Sequence, residues 1–250
     1  MTTKEPTHTR AIRTFVPELN KLRRARQKTV YEGPIGRIGS TRRSRYTLVA
    51  VSALVTLSFL ILAALFSPTL TALTGLGAVL LIAGGWPAAT GIAELRGVRR
   101  VTSHSIIILI SGLASLYYSW LYSSGSPLNA LPAIAAVGVV ASFIAELVRG
   151  EGATGRLESV ISCVTGVLAS VSVAGWVGLA FLAEPGASAW PIVLPGLGIS
   201  LLLGLLGIRV ISAGPKEGPR RGAITLGVTP VAFIGVLAYV CATFLTRVIG

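Results

Sequence analysis

YTLVAVSALVTLSFLILAALF, residues 46–66, carries no charged side chain from end to end. The ~30 Å hydrocarbon layer of a bilayer takes roughly 20 apolar residues of helix to cross. This stretch is long enough. Further apolar stretches follow at about 70–95, 105–122, 130–148, 160–183, 192–211 and 224–246. In hydrocarbon every backbone N–H and C=O must be satisfied within the segment, and a helix does so. The pattern predicts an all-α fold: a polytopic membrane helix bundle of about seven transmembrane helices. Composition agrees. The chain is 52% hydrophobic and 12% charged, against about 25% charged in a soluble domain.

Before residue 46 the composition inverts. Residues 1–45 hold twelve of the 22 Lys and Arg and only three Glu, a large part of the net charge of +13. With no apolar run to offset the entropy of ordering, 1–45 is expected to be a basic, mostly disordered cytoplasmic tail ahead of a transmembrane domain at 46–250. It does not have the form of a signal peptide, in which a short basic stretch leads at once into an apolar core. Arg23, Arg24 and Arg26, and then Arg42, Arg43 and Arg45 beside the first span, form clusters that are expected to contact anionic lipid headgroups. Nucleic acid is not expected, because the tail has no recognition module and few aromatics.

The loops set orientation. Lys and Arg concentrate at Arg96, Arg99 and Arg100, at Arg149 and Arg156, and at Arg209, Lys216, Arg220 and Arg221, while loop 123–129 carries no charge. With the tail and these loops on one side, Arg247 alone among the 22 basic residues falls on the other. Basic residues stay in the cytoplasm. Seven spans then give an inside N-terminus and an outside C-terminus. The second span is the irregular one, because Trp86-Pro87 interrupts it; it is expected to end at Trp86 or to run kinked to Leu95. Ile92-Ala93-Glu94-Leu95 before Arg96-Gly97 echoes Ile144-Ala145-Glu146-Leu147 before Arg149-Gly150, which suggests a duplicated helix-loop-helix unit.

Few residues here can do chemistry. Aspartate is absent, the two histidines are His8 and His104, and the two cysteines, Cys163 and Cys241, lie in apolar runs. No spacing suits a metal or any other cofactor, and no histidine is placed to activate a serine within a span. Glu146 and Arg149, three apart, can face each other on a helix end. The pair reads as an ion pair at the cytoplasmic interface, the alternative being an ion or proton gate. Small residues recur every fourth position: Ser111, Ser115 and Ser119 on the third span, and Ser162, Gly166, Ser170, Ala174 and Gly178 on the fifth. Such stripes permit close helix approach; the alternative is a polar path lined by hydroxyls. Val164, Leu168 and Val171 are expected on the opposite, lipid-facing side. Tyr117, Tyr118, Trp120 and Tyr122 read as an interfacial aromatic belt.

Gly85-Trp86-Pro87, Arg96-Gly97, Leu147-Val148-Arg149-Gly150-Glu151-Gly152 and Gly155-Arg156-Leu157-Glu158-Ser159-Val160 resemble a family of actinobacterial multi-pass membrane proteins. There Gly-Trp-Pro precedes a basic turn and a second turn leads into Arg-Leu-Val-Glu-Ser. The similarity extends over roughly 80–250, with Glu151 in place of an aspartate and one Arg missing from the turn. It implies a bacterial cytoplasmic membrane location and this topology, and no activity. The expectation is a non-enzymatic envelope component that packs with lipid, with a membrane protein partner or with its own copies. The alternative is a transporter of small solutes or lipid.

Overall fold

The computed structural model describes residues 42–91, 98–122, 127–149, 156–183, 198, 202 and 220–249, with backbone alone at 42–46, 98–102 and 246–249. All regular structure among the described residues is helical. The helices are α1 (Arg42–Phe66), α2 (Pro68–Ala89), α3 (Val98–Leu121), α4 (Leu131–Leu147), α5 (Arg156–Ser172), α6 (Ala174–Leu182) and α7 (Arg220–Ile249). Five helical stretches are long and apolar enough to cross a membrane: Thr47–Phe66, Pro68–Ala89, Ser103–Leu121, Arg156–Leu182 and Arg220–Leu245. α4 is shorter, with 17 residues. The expected span at 192–211 (except Gly198 and Leu202), residues 1–41 of the tail, and the first copy of the suggested repeat lie outside the described residues, while residues 42–45 of the tail already belong to α1.

Each helix end has a local cause. Ser67 alone separates α1 from α2. Its N–H still bonds the Ala63 carbonyl at 3.0 Å, while its hydroxyl accepts from the Leu70 N–H at 3.1 Å. Pro68 follows at the first helical position, where its missing N–H costs nothing. At the far end of α2, Pro87 is carried inside the helix, which stops at Ala89. The Thr90 N–H and hydroxyl both bond the Trp86 carbonyl, at 3.0 and 3.1 Å, and Gly91 takes φ +75°. A left-handed glycine after the cap is a common way to end a helix. This corrects both expected endings: α2 passes Trp86 and does not continue to Leu95. α5 and α6 are nearly one helix. At Val173 the bonds tighten to i→i−3, Val173 N to Ser170 O at 3.3 Å and Trp176 N to Val173 O at 3.1 Å.

Interhelical contacts give the directions. At one end of the bundle the close of α2 meets α5, where Trp86 Nε1 donates to Ser162 O at 2.7 Å and Ser162 Oγ to Thr90 Oγ1 at 2.9 Å. The start of α7 packs there too, with Gly222 against the backbone of Ala88 and Ala89. At the other end Ser119 Oγ donates to Ala174 O at 3.3 Å, Trp120 Nε1 to Thr69 Oγ1 at 3.4 Å, and Gly178 lies against Pro127. α4 therefore runs from the Pro127 end to the Trp86 end despite its length. α6 and α7 run parallel: Gly175 abuts Gly235 and Val236, and Gly178 abuts Tyr239.

The core is built from small and β-branched residues. Val79, Ile82, Ile108, Val167, Val173, Val177 and Val228 form one cluster; Leu60, Trp176, Val231 and Ile234 form a second. Large apolar side chains point outward instead, including Leu54, Phe59, Leu62 and Phe66 on α1. An apolar exterior of this extent marks a surface that does not face water. Val171, expected on the lipid side of α5, is buried in the first cluster, while Leu168 is exposed. The reason is that α5 and α6 are surrounded: 72% of the most apolar window of Arg156–Leu182 is buried. At that depth the helix has little outer face.

Candidate functional site

The Trp86 end of the bundle holds a buried cluster of ionisable groups drawn from three helices. His104 comes from the early turns of α3, Glu146 from the last turn of α4, and Ser159 from the first turn of α5. All three are buried. Arg149, just past α4, pairs with Glu146 Oε2 in the i,i+3 relation visible in the sequence. Glu146 Oε1 accepts from the Ser159 hydroxyl and lies 3.3 Å from His104 Nε2. Ser159 Oγ is 3.2 Å from the same nitrogen.

A carboxylate at a helix C-terminus opposes the helix dipole. Glu146 is held there because Arg149, His104 and Ser159 converge on it and because α5 begins beside it. Hydrogen-bonded partners on both oxygens are what a buried carboxylate requires. Arg149 and Glu146 thus form a partly buried pair instead of an exposed surface pair. The i,i+3 relation follows from helical spacing; His104 and Ser159 carry no such signal, being 55 positions apart.

The wiring differs from that of a hydrolytic triad. There the carboxylate holds one imidazole nitrogen and leaves the other to take the serine proton. Here Glu146 and Ser159 meet the same nitrogen, Nε2, and Ser159 gives its hydrogen to Glu146. In the tautomer that carries its proton on Nε2, His104 is a donor to this carboxylate and not a base toward Ser159. Among the described residues no group of three or more His, Cys, Asp or Glu is placed to hold a metal ion.

The small-residue stripes sit in helix contacts. Ser111 faces Gly138 of α4, where an added Cβ would lie 2.7 Å from Ser111 Oγ. Ser115 Oγ donates to Gly112 O within its own helix at 2.8 Å. Ser170 Oγ donates to Ile108 O of α3 at 3.0 Å and to Val167 O at 2.9 Å. A Cβ on Gly166 would lie 2.5 Å from Ile108 Cδ1 and 2.7 Å from Trp86 Cδ1. Ala174 is fully buried. At the opposite end Tyr118 and Tyr122 stack at 4.6 Å, and Tyr117, Trp120 and Tyr122 are exposed. Arg23, Arg24 and Arg26 lie outside the described residues, as do the side chains of Arg42, Arg43 and Arg45.

One cavity, of about 600 Å³, opens along the outer side of α4 and α5. Its walls are apolar, with Phe143, Val160 and Val164 among them, and Glu146 and Arg156 lie at one end. It touches none of Ser111, Ser115 and Ser170.

Comparison with family models, with curated proteins and with solved structures finds no match. The geometry is therefore the ground for a functional reading.

Proposed function

We propose that this chain is a non-enzymatic, seven-span component of a bacterial cytoplasmic membrane, N-terminus inside, that works by packing with lipid and with other membrane proteins. One observation carries the reading. The hydroxyls of Ser115, Ser119 and Ser170 are bonded to backbone carbonyls, and Gly138 and Gly166 are closed over by neighbouring side chains. Stripes of this kind hold helices together. The seventh span is supported by the parallel run of α6 and α7. α6 ends and α7 begins at opposite ends of the bundle. The stretch 192–211 has the length to cross between them. Arg149, Arg156, Arg220 and Arg221 adjoin the Trp86 end, which is then the cytoplasmic end.

Thiol labelling tests the reading. In a chain with Cys163→Ala and Cys241→Ser, a Ser170→Cys variant should resist a water-soluble maleimide in intact membranes. Rapid labelling would open a water-filled path and defeat it. A reporter active only in the cytoplasm, fused after Gly250, should be silent; activity there would overturn the topology.

A transporter is the second reading, favoured by the burial of His104 and Glu146. Ionisable groups inside a membrane often serve ion or proton movement. Wild-type proteoliposomes that pass protons under a pH gradient, with the passage lost in Glu146→Gln, would put this reading first.

A further inference from the structure

We propose that α4 is the movable element of the bundle: its first half is fixed in the core, and its cytoplasmic end is held by a latch in which Glu146 ties α4 to His104 of α3 and Ser159 of α5. Released, that end swings outward and widens the groove between α4 and α5 toward the cytoplasmic leaflet. The inference goes beyond the reading above and depends on it only for the bilayer and its cytoplasmic side.

The two halves of α4 are held differently. Leu131 and Ile134, with Leu128 just before the helix, pack against the first core cluster. Gly138 closes this half. A Cβ there would lie 2.6 Å from Val167 Cγ1 and 2.7 Å from Ser111 Oγ, so α4 meets both α5 and α3 at this level. Every side chain of α4 is described, and no apolar one beyond Gly138 joins either core cluster. Phe143, Ile144 and Leu147 are each more than half exposed. Along this half the cavity of about 600 Å³ runs between the helices, with Val139 and Phe143 on one wall and Val160 and Val164 on the other. α4 and α5 have the same length, 17 residues, yet α4 buries three residues where α5 buries eight. Apolar exposure does not by itself loosen a helix in lipid. Close contacts and interhelical hydrogen bonds are what hold it, and the second half of α4 has few of the former.

The hydrogen bonds concentrate at one point. α4 has two polar side chains, Ser142 and Glu146. Ser142 Oγ donates to Val139 O of its own helix at 2.7 Å. Glu146 lies about 12 Å beyond Gly138 along the helix. Its Oε1 accepts from Ser159 Oγ and is 3.3 Å from His104 Nε2, and all three side chains are buried. Arg149, just past the end of α4, bonds the second oxygen, so one of the carboxylate's bonds stays with α4 however that end moves. Hydrogen bonds to a carboxylate are stronger than neutral ones. Placed at the far end of a lever that pivots at Gly138, they oppose tilting with most effect.

The test is a spin-label distance measurement on the full chain in lipid vesicles, with Cys163→Ala and Cys241→Ser and two label pairs. Ile106→Cys with Leu147→Cys spans the latched end, and Leu113→Cys with Val137→Cys spans the fixed half; all four positions are exposed. With the cluster intact, both distance distributions should be narrow. Ser159→Ala with His104→Leu cuts the ties to α3 and α5 and leaves Glu146 with Arg149. It should lengthen the first distance by several ångström, broaden it, and leave the second unchanged. Ser159→Ala alone should shift the same distance less. An unchanged first distance in the double variant would overturn the latch. So would equal broadening of both pairs, or loss of the folded chain, because a latch frees one end of one helix and leaves the bundle standing. Maleimide labelling at Ser170 reports on the contact of α5 with α3, so the packing reading and this one can fail separately.

Discussion

α1 and the α5–α6 pair invert the rule of soluble proteins. Thr47–Phe66 has a mean hydropathy of 2.6, yet only 28% of its most apolar window is buried; Arg156–Leu182 has 1.9 and is 72% buried. In water the more apolar element would lie inside. In a bilayer, lipid tails are as apolar as a leucine, so hydrophobicity does not sort residues between core and surface. Size and hydrogen bonding do. α1 displays Leu54, Phe59 and Leu62, whereas α5 and α6 bury Gly166, Ser170, Ala174, Gly175 and Gly178.

Substitutions should break this contrast unevenly. The largest effect is expected at Gly175, whose added Cβ would collide with the Val236 backbone of α7. A backbone cannot rotate away as a side chain can. Gly175→Leu should abolish accumulation of folded protein, seen as loss of a monodisperse peak in mild detergent; normal yield would refute the α6–α7 contact. Next comes Glu146→Ala. It strands a largely buried Arg149, and removing one partner of a buried pair costs about 3–5 kcal/mol. Its thermal unfolding should drop well below that of the Glu146→Ala/Arg149→Leu double variant. Equal destabilisation by the two would show that the charge pair contributes nothing.

Gly166→Leu pushes into Ile108 and Trp86 and should cost about 1–3 kcal/mol, while Phe59→Leu on the exposed face of α1 should shift the unfolding temperature little. Comparable losses at both positions would remove the inside-outside distinction. Ser170→Ala should have the smallest interior effect. Interhelical hydrogen bonds in membranes average about 0.6 kcal/mol, and the smaller side chain leaves the contact with α3 closed. A loss as large as that of Gly166→Leu would assign the hydroxyl a role beyond packing.

Five of the seven expected spans were legible because length and missing charge are local properties. Residues 46–66 alone sufficed to place the chain in a membrane. The partners of each helix were less legible, for the reason that α1 and α5 differ. The face holding Gly166 and Ser170 could be read from its small residues, but Val171 could not be assigned from its apolar character. The polar cluster divides the same way. Glu146–Arg149 follows from helical spacing, whereas His104 and Ser159 arrive from other helices, and only the packing brings them together. The end of α2 at Ala89 was not legible because the helix carries Pro87 without breaking and stops before Gly91, whose φ is +75°.

The parallel contact of α6 with α7 has a consequence for synthesis. α7 packs on α1, α2 and α6, so a helix made early waits for one made well over a hundred residues later. Until α7 has been made, the nascent bundle presents Ser52, Thr225's acceptor at Leu81 and the Gly175 surface without their partner. A ribosome stalled before Arg220 would leave an open cleft of small residues facing lipid, where membrane proteases and chaperones could distinguish it from the finished chain.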